Sequence, residues 1–202
     1  MIDMTQPLKR DVDRLDDIDK ALLRQITEDR STVAMQTLYD SYRSRLVPFL
    51  RRMTQDQALI EEAYNDVMLT LWNKSNQFKG NSKVSSWIFS IAYRVCLRMI
   101  KRQQFRQKVL DSFLFFKEDE EDKQEESNEN EDVDLLNRAI KALPAKQRVV
   151  IELSYYQGYS TQEIGEIADC PTNTVKTRLH HARQKIRAFM DADKLDEKYD
   201  EV

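Results

Sequence analysis

Residues 158–187 read GYSTQEIGEIADCPTNTVKTRLHHARQKIR and predict two short helices separated by a tight break at residues 168–171. In the second helix, four apolar residues recur at helical spacing and form one buried stripe: Val175, Leu179, Ala182 and Ile186. The opposite face is polar and cationic: Asn173, Lys176, Thr177, His180 and Gln184, flanked by Arg178 and Arg183. A helix, a short turn and a second helix with such a face are typical of proteins that read the major groove of DNA. The alternative is a surface helical hairpin with a solvated basic face.

The break itself has the residues that a sharp turn between helices needs. Asp169 tolerates the left-handed backbone, and Pro171 or Thr172 can begin the next helix because neither needs an intrahelical N–H partner there. Gly165 lies inside the first helix, where glycine costs about 1 kcal/mol relative to alanine. We therefore expect two helices to cross closely at Gly165.

The composition favours an all-α protein. The chain has 202 residues with only three glycines and four prolines, and no stretch shows strand-like alternation. No apolar run is long enough to span a bilayer and the N-terminus lacks a signal-peptide core, so we expect a cytoplasmic protein without membrane insertion. Cys96 and Cys170 are predicted to be packing residues rather than a disulfide or metal pair.

The net charge of −3 hides a strong segregation of charge along the chain. Residues 1–117 carry a net charge of +6, residues 118–134 carry −10, and residues 135–188 carry +5. Two basic segments therefore flank an acidic strip, which indicates a polyanionic partner; a solvated charged surface is the alternative.

The N-terminal segment is predicted to be a packing helix followed by a second, wider one. Its apolar residues at helical spacing are Leu15, Ile18, Leu22 and Ile26. Ser31 can cap the following helix, which Pro48 is expected to bend or restart.

A helix over residues 54–74 carries one notable surface. Four residues at spacings i, i+3, i+4 and i+7 share a face: Glu62, Asn65, Asp66 and Leu69. Two carboxylates, an amide and an apolar residue together suit docking on a basic protein surface, although a solvated helix face remains the alternative.

The loop SNQFKGNSK at residues 75–83 leads into an amphipathic helix that becomes cationic towards its end. Its cations are Arg94, Arg98, Lys101, Arg102, Arg106 and Lys108, with Phe78, Trp87, Phe89 and Tyr93 interleaved. Such a mixture can hold a phosphate backbone and stack unpaired bases. Most of the aromatic residues are better placed for the core, so the loop residues Asn81, Ser82 and Lys83 are the candidates for base contact.

Residues 117–134 contain no apolar residue except Val133 and cannot form a core. They are predicted to be a flexible acidic linker between two small helical domains. The C-terminal domain then consists of two supporting helices, the second ending at Gly158, and the helix-turn-helix.

Several motifs occur in a specific order: LYDSYRSRLVPFLRR, EEAYNDVMLTLW and FKGNSKVSSWIFSIAYRVCLRMIKR, then an acidic linker, ALPAKQRVVIEL and YSTQEIGEIADCPTNTVKTRLHHAR. In this order they resemble the bacterial sigma factors of the extracytoplasmic-function (ECF) type. The resemblance covers roughly residues 31–188.

The resemblance implies a non-catalytic transcription initiation subunit without a cofactor, a metal or a small-molecule substrate. Its implied partners are core RNA polymerase, promoter DNA and an anti-sigma factor, since one is common in the family. The implied organisation is an N-terminal packing helix at 1–30, sigma domain 2 at 31–112, the linker at 113–134, sigma domain 4 at 135–190 and an acidic tail at 191–202.

The same resemblance implies a role for each candidate residue. The helix face of Glu62, Asn65, Asp66 and Leu69 is implied to dock on the clamp coiled coil of the polymerase. The implied −10 contacts are Asn81, Ser82 and Lys83 around an extruded base and Arg94, Arg98, Lys101 and Arg102 on the backbone. The implied −35 contacts are Asn173, Lys176, Thr177 and His180 towards base edges and Arg178 and Arg183 towards phosphates.

The chain departs from the family pattern at two of these positions. Many relatives have Gln where Asn65 stands and Gly where Asn173 stands, so a promoter sequence cannot be transferred from them. The linker is also unusually acidic. We hypothesise that it mimics nucleic acid inside the basic channels of the polymerase; a solubilising spacer that limits stray DNA binding is the equal alternative.

A stand-alone helix-turn-helix regulator is the competing function, but it leaves residues 31–108 without a role. An enzyme is disfavoured because the two histidines, His180 and His181, are adjacent on one helix and have no cysteine or carboxylate at ligand spacing. The sequence also shows no pairing of a nucleophile with a base and no phosphate-binding glycine loop.

Overall fold

The computed structural model describes residues 5–54, 56–113 and 131–200. Every regular element in these ranges is helical. The helices are α1 (Thr5–Asp29), α2 (Thr32–Arg51), α3 (Gln57–Lys74), α4 (Val84–Phe113), α5 (Glu131–Lys141), α6 (Ala145–Ile151), α7 (Thr161–Ile167) and α8 (Thr172–Asp200). A 3₁₀ turn, Ser75–Gln77, follows α3, and a π-helical turn, Glu152–Tyr156, follows α6. Throughout these ranges, each helix is too short or too polar to span a bilayer.

The chain forms two helical units that follow the two basic segments of the sequence. In the first, α2, α3 and α4 pack against one another and α1 lies across α2 and α4. Phe49, Tyr64 and Phe89 are among its largest fully buried side chains. In the second unit, α8 packs against α5, α6 and α7, with Leu153 and Ile164 in the centre.

The two units also pack against each other, through α4 on one side and α6 and α7 on the other. Tyr159, which precedes α7, is buried against Phe89 of α4 with ring centroids 5.3 Å apart in a T-shaped arrangement. The Arg45 guanidinium of α2 lies 5.1 Å from the Phe89 ring and donates a 3.1 Å hydrogen bond to the Tyr159 hydroxyl. The contact therefore includes aromatic rings and a cation as well as the buried core.

The buried side of α1 differs from the predicted stripe. Leu15 and Ile18 are exposed, and the residues that enter the core are Leu23 and Ile26. The cause is a polar inner face towards the N-terminal half of the helix, where Asp19 accepts a hydrogen bond from the buried Tyr42 hydroxyl. Burial raises the pKa of Asp19. The stripe was therefore displaced by a carboxylate that faces inward.

Helix α2 begins as predicted but is not interrupted. Ser31 caps it by accepting a 3.2 Å hydrogen bond from the Ala34 N–H, after Arg30 has turned the chain at φ +50°. The helix runs through Pro48 to Arg51, so of the two predicted outcomes, a bend or a restart, the restart does not occur. Pro48 lies on the exposed side, where water can bond the carbonyl that the proline leaves without an intrahelical donor.

Helices also extend into the predicted linker and tail. Helix α4 ends at Phe113 and α5 begins at Glu131, so residues 131–134 of the predicted linker are helical, and residues 114–130 lie outside the described residues. At the other end, α8 continues through residue 191 to Asp200. Arg138 of α5 pairs with Asp193 at 3.2 Å, which fixes the start of the predicted tail to the second unit.

Candidate nucleic-acid interface

The helix-turn-helix forms from short local signals around α7 and α8. Ser160 and Glu163 make a reciprocal capping box at the start of α7. Asp169 has φ +48°, so the predicted left-handed turn residue is confirmed. The Pro171 carbonyl accepts hydrogen bonds from Thr174 and Val175, and α8 therefore begins at Thr172, one of the two predicted positions.

Gly165 is needed for a close approach, but not for the expected crossing of two helices. A Cβ atom at this position would lie 2.9 Å from the carbonyl oxygen of Cys170. The Cys170 N–H in turn donates a 3.0 Å hydrogen bond to the Gly165 carbonyl. The glycine therefore allows the turn backbone to fold back on the end of α7.

Helix α8 presents the predicted reading face to solvent. The stripe of Val175, Leu179 and Ala182 is buried, and Ile186 is half-buried. The opposite side chains are exposed: Asn173, Lys176, Thr177, His180, Gln184 and Arg183. Arg183 is held by a 2.9 Å hydrogen bond from its Nε to the Tyr155 hydroxyl. A polar face of this kind is accessible to a DNA groove without any rearrangement of α8.

Arg178 differs from its neighbours on α8. It is half-buried, and its Nη1 lies 3.5 Å from the Cys170 sulfur. It also lies beside Tyr93 of α4: burial raises the pKa of this tyrosine, and the positive charge of Arg178 opposes the shift. In this packed arrangement Arg178 therefore contacts the first unit.

The loop before α4 holds the three predicted base-contacting residues close together. Gly80 turns the chain at φ +74°, Asn81 is exposed, and Ser82 and Lys83 are half-buried. Lys83 Nζ pairs with Glu163 Oε1 of α7 at 2.9 Å. Burial raises the pKa of Glu163, but hydrogen bonds from Lys83 and Ser160 together hold the pKa below its usual value. The loop is therefore linked to the helix-turn-helix by a charged pair.

The cationic part of α4 is open. The predicted backbone contacts are all exposed: Arg94, Arg98, Lys101 and Arg102. Phe105, one turn further on, is also 69% exposed. The helix thus offers four cations and an aromatic ring to solvent, a combination suited to a nucleic-acid strand.

The predicted docking face on α3 adjoins this cationic helix. Glu62, Asn65, Asp66 and Leu69 are all exposed, as their shared spacing predicts. Glu62 pairs with Arg102 at 3.2 Å, and Asn65 accepts a 3.2 Å hydrogen bond from Tyr39. The two predicted sites therefore meet at one ion pair.

Sequence patterns did not identify the groups that join the two units. Arg52, the residue that follows α2, pairs with the fully buried Glu152 at 3.2 Å and stacks 3.7 Å above the Tyr156 ring. Burial raises the pKa of Glu152 to about 7, although Arg52 and Arg148 oppose this shift. In the sequence, a glutamate within an apolar run was the available sign of this contact. Its partner Arg52 lies 100 residues away, so the pair could not be predicted.

Metal-ligating side chains do not cluster in the parts of the chain that the structure describes. Cys96 is fully buried within α4, which raises the pKa of its thiol, and Cys170 is half-buried in the turn before α8. Each cysteine packs as a single side chain, so neither forms a disulfide.

Comparison with known families gives two matches, one in each helical unit. Residues 38–106 match the sigma-70 region 2 family, and residues 134–186 match the sigma-70 region 4 family. ECF RNA polymerase sigma factor SigX of Bacillus subtilis is 32% identical over 161 residues, which cover 77% of this chain and 83% of the relative. ECF sigma factor SigL of Mycobacterium tuberculosis is 29% identical over 154 residues, covering 76% and 86%.

Two solved structures share the fold. The sigma factor RpoE of Bartonella quintana, in complex with the anti-sigma factor NepR, has a TM-score of 0.61 at 22% identity and covers 78% of this chain and 97% of its own. CnrH, in complex with the cytosolic domain of CnrY, has a TM-score of 0.63 at 18% identity and covers 87% and 99%. The two family regions, their order and the relatives show that the chain belongs to the ECF RNA polymerase sigma factors, and it directs promoter-specific transcription initiation.

Proposed function

We propose that the chain works as a two-point promoter reader, with α3 docked on core polymerase, the loop and α4 on the −10 element, and α8 on the −35 element. The observation that carries this assignment is the presence of two exposed cationic faces on separate units, one on α4 and one on α8. Each lies within a matched sigma-70 region.

The docking surface on core polymerase is the face of Glu62, Asn65, Asp66 and Leu69. Leu69 is 58% exposed beside two carboxylates, so it can bury apolar area while the charges steer a basic partner. Glu62 already pairs with Arg102. Docking on a basic surface would compete for this carboxylate and release the guanidinium towards DNA.

Promoter opening is assigned to the loop residues Asn81, Ser82 and Lys83 together with α4. Extruding a base costs a few kcal/mol of stacking and pairing, which contacts in a prearranged pocket must offset. Arg94, Arg98, Lys101 and Arg102 line one exposed helix and would hold the strand by its phosphates.

Recognition of the upstream element is assigned to α8. Asn173, Lys176, Thr177 and His180 are exposed at its N-terminal end, the part of a recognition helix that contacts base edges. Arg183 would contact a phosphate, and Arg178 would do so once it leaves Tyr93.

The two units must separate for this function. Elements named for positions −35 and −10 are about 25 base pairs apart, or roughly 85 Å along B-form DNA. Units joined by the Lys83–Glu163 pair and the Tyr159–Phe89 contact cannot reach both elements at once. The packed arrangement is accordingly a form of the subunit that precedes promoter binding.

We assign the chain no catalytic step of its own and place it in the cytoplasm with core polymerase. An anti-sigma factor is a further proposed partner, because the solved relatives are complexes with NepR and with the cytosolic domain of CnrY. Such a partner would act by holding the two units in an arrangement that cannot span both elements.

Run-off transcription with purified core polymerase on genomic fragments tests the proposal. A sigma factor should co-purify with core enzyme and produce transcripts from defined start sites. Reversing the charge of the docking face, as in Asp66→Lys, should remove both activities and leave duplex DNA binding intact. Sequence-specific binding to duplex DNA without any effect on core enzyme would favour the stand-alone regulator instead.

A further inference from the structure

Helix α1 has no role assigned by the family matches, which begin at residue 38, yet it contacts the start of α4 directly. Asp16 Oδ1 accepts a 2.8 Å hydrogen bond from the backbone N–H of Val84, the first residue of α4. The second carboxylate oxygen of Asp16 pairs with Lys20 at 2.7 Å, and the Asp16 side chain is only 12% exposed. The carboxylate is therefore held in place between two helices.

The start of α4 depends on this contact because the local sequence supplies no cap. The residue before Val84 is Lys83, a cation at the positive end of the helix dipole, and the first turn of α4 contains no acidic residue. Acceptors and negative charge stabilise a helix N-terminus. Asp16 provides both from a helix that lies 68 residues earlier in the chain.

The other end of the same loop is also fixed by the N-terminal segment. Arg30, which follows α1, donates a 2.9 Å hydrogen bond to the Trp72 carbonyl near the end of α3. Its guanidinium stacks 4.0 Å above the Trp72 ring. The segment from Trp72 to Val84, which contains Asn81, Ser82 and Lys83, is thus held at both ends by α1 and the residue that follows it.

We propose that Asp16 is a positioning residue for −10 recognition: by capping α4 it fixes the loop at Asn81, Ser82 and Lys83 in the conformation that receives the extruded base. The inference rests on the proposed role of this loop. A pocket that is already ordered before binding discriminates between bases better, because little of the binding free energy is lost in ordering it. Asp16 itself does not touch DNA.

The test compares Asp16→Ala and Asp16→Asn with Asp17→Ala, a matched control whose side chain is 80% exposed. Holoenzymes made with each variant are assayed by run-off transcription on a mapped promoter, on versions changed at single −10 or −35 bases, and on a template already melted at −10. Amide hydrogen exchange at Val84 and the following residues is measured on the free subunits.

Asp16→Ala should speed exchange at the start of α4 and lower transcription from the duplex promoter about fivefold, the scale of a lost helix cap. It should narrow the discrimination between −10 variants, leave discrimination at −35 unchanged, and recover activity on the melted template. Asp16→Asn should fall between, since its amide oxygen still accepts the Val84 N–H but lacks the charge. Asp17→Ala should match wild type.

The inference would be overturned if Asp16→Ala discriminated between −10 base variants as well as wild type does, with wild type active in transcription. The proposed function would then remain intact. Equal losses at −10 and −35 would also overturn it, because they indicate a general loss of folded protein. If Asp16→Ala does not fold, unaltered −10 discrimination in Asp16→Asn despite faster exchange would count against the role. No transcript from wild type would instead refute the proposed function.

Discussion

The two proposed DNA contacts, the polar face of α8 and the loop at Asn81, Ser82 and Lys83, differ in how accessible they are in this structure. On α8, the side chains of Asn173, Lys176, Thr177, His180 and Arg183 are exposed, and only Arg178 among the predicted contacts is half-buried against the first unit. The proposed −10 loop at Asn81, Ser82 and Lys83 depends on other parts of the chain: Asp16 accepts from the first residue of the helix that follows it, and Glu163 pairs with Lys83 across the unit boundary. The proposed base-contacting residues of α8 are therefore accessible as folded, whereas the proposed −10 loop must first lose its pairing with Glu163.

The largest expected effect comes from removing the aromatic contact between the units. Tyr159→Ala should lower the free energy of unfolding by about 3 kcal/mol, the scale of deleting a buried aromatic side chain, and should let the units separate. Thermal unfolding and small-angle scattering would measure the two changes. Tyr159→Phe keeps the ring against Phe89 and loses the hydroxyl that accepts from Arg45, so it is the matched control. Unchanged dimensions for Tyr159→Ala would show that the contact does not hold the units together.

The face of α8 can be divided into base and phosphate contacts. Lys176→Ala should cost about 1–3 kcal/mol at particular base pairs and relax preference there. Arg183→Ala should weaken binding to all sequences and reduce the salt dependence by about one counterion. Binding of each variant to a panel of upstream sequences at several salt concentrations would distinguish them. Equal losses for Lys176→Ala on every sequence would refute its assignment as a base reader.

The buried Glu152 should make the packed arrangement sensitive to pH. Its pKa is raised by burial to about 7, so the folded chain holds a proton that the unfolded chain releases near 4.5. In that window the unfolded state binds fewer protons, so stability should fall as pH rises from about 4.5 to about 7, by about 3 kcal/mol or less. Denaturant unfolding between pH 5 and pH 8 would measure the slope.

Glu152→Gln is the control for that slope. The substitution removes the titrating group while keeping an oxygen for Arg52, so the decline over this window should become shallower. Glu163 does not contribute to the slope in this pH range. Its pKa is held below the usual value, so the stability that it adds is lost only at lower pH. A slope that is the same in wild type and Glu152→Gln would place the pH dependence elsewhere.

The smallest expected effect is that of the charged pair at the loop. Glu163→Gln should weaken the link to Lys83 by less than about 1 kcal/mol, since a partly exposed ion pair contributes little. It should also loosen the start of α7, where Glu163 completes the capping box. Single-stranded −10 DNA should bind the free variant slightly more tightly than wild type, as a fluorescence titration would show. Weaker binding would mean that Glu163 supports the loop rather than competing for it.

Periodicity and residue propensities predicted the buried and exposed faces of α8 well, but they predicted the packing of α1 poorly. The stripe of α8, the Asp169 turn and the Ser31 cap depend on neighbours within four residues, so periodicity and propensity identified them. Leu15 and Ile18 were misassigned because an apolar residue at helical spacing does not reveal which side a neighbouring helix will cover.

The contacts that hold the loop at Asn81, Ser82 and Lys83 join residues that are far apart in the sequence. Asp16 meets Val84 across 68 residues, and Lys83 meets Glu163 across 80. A single sequence offers no pattern at such separations, because each partner is an ordinary charged residue in its own segment. The residues of the proposed sites could therefore be identified from sequence motifs. The residues that position or cover them could be identified only from the three-dimensional structure.

The Lys83–Glu163 pair gives dissolved salt two opposing effects on the free subunit. Ions screen the attraction between a partly exposed lysine and glutamate, and the same ions would weaken the proposed contacts of Lys83 and the α4 cations with phosphates. Raising the salt concentration therefore frees the loop from the second unit while reducing its attraction to DNA. For the free subunit, the slope of log affinity against log salt concentration should therefore correspond to fewer phosphates than the bound protein contacts. For holoenzyme, whose units are already apart, the slope should correspond to all of the contacted phosphates.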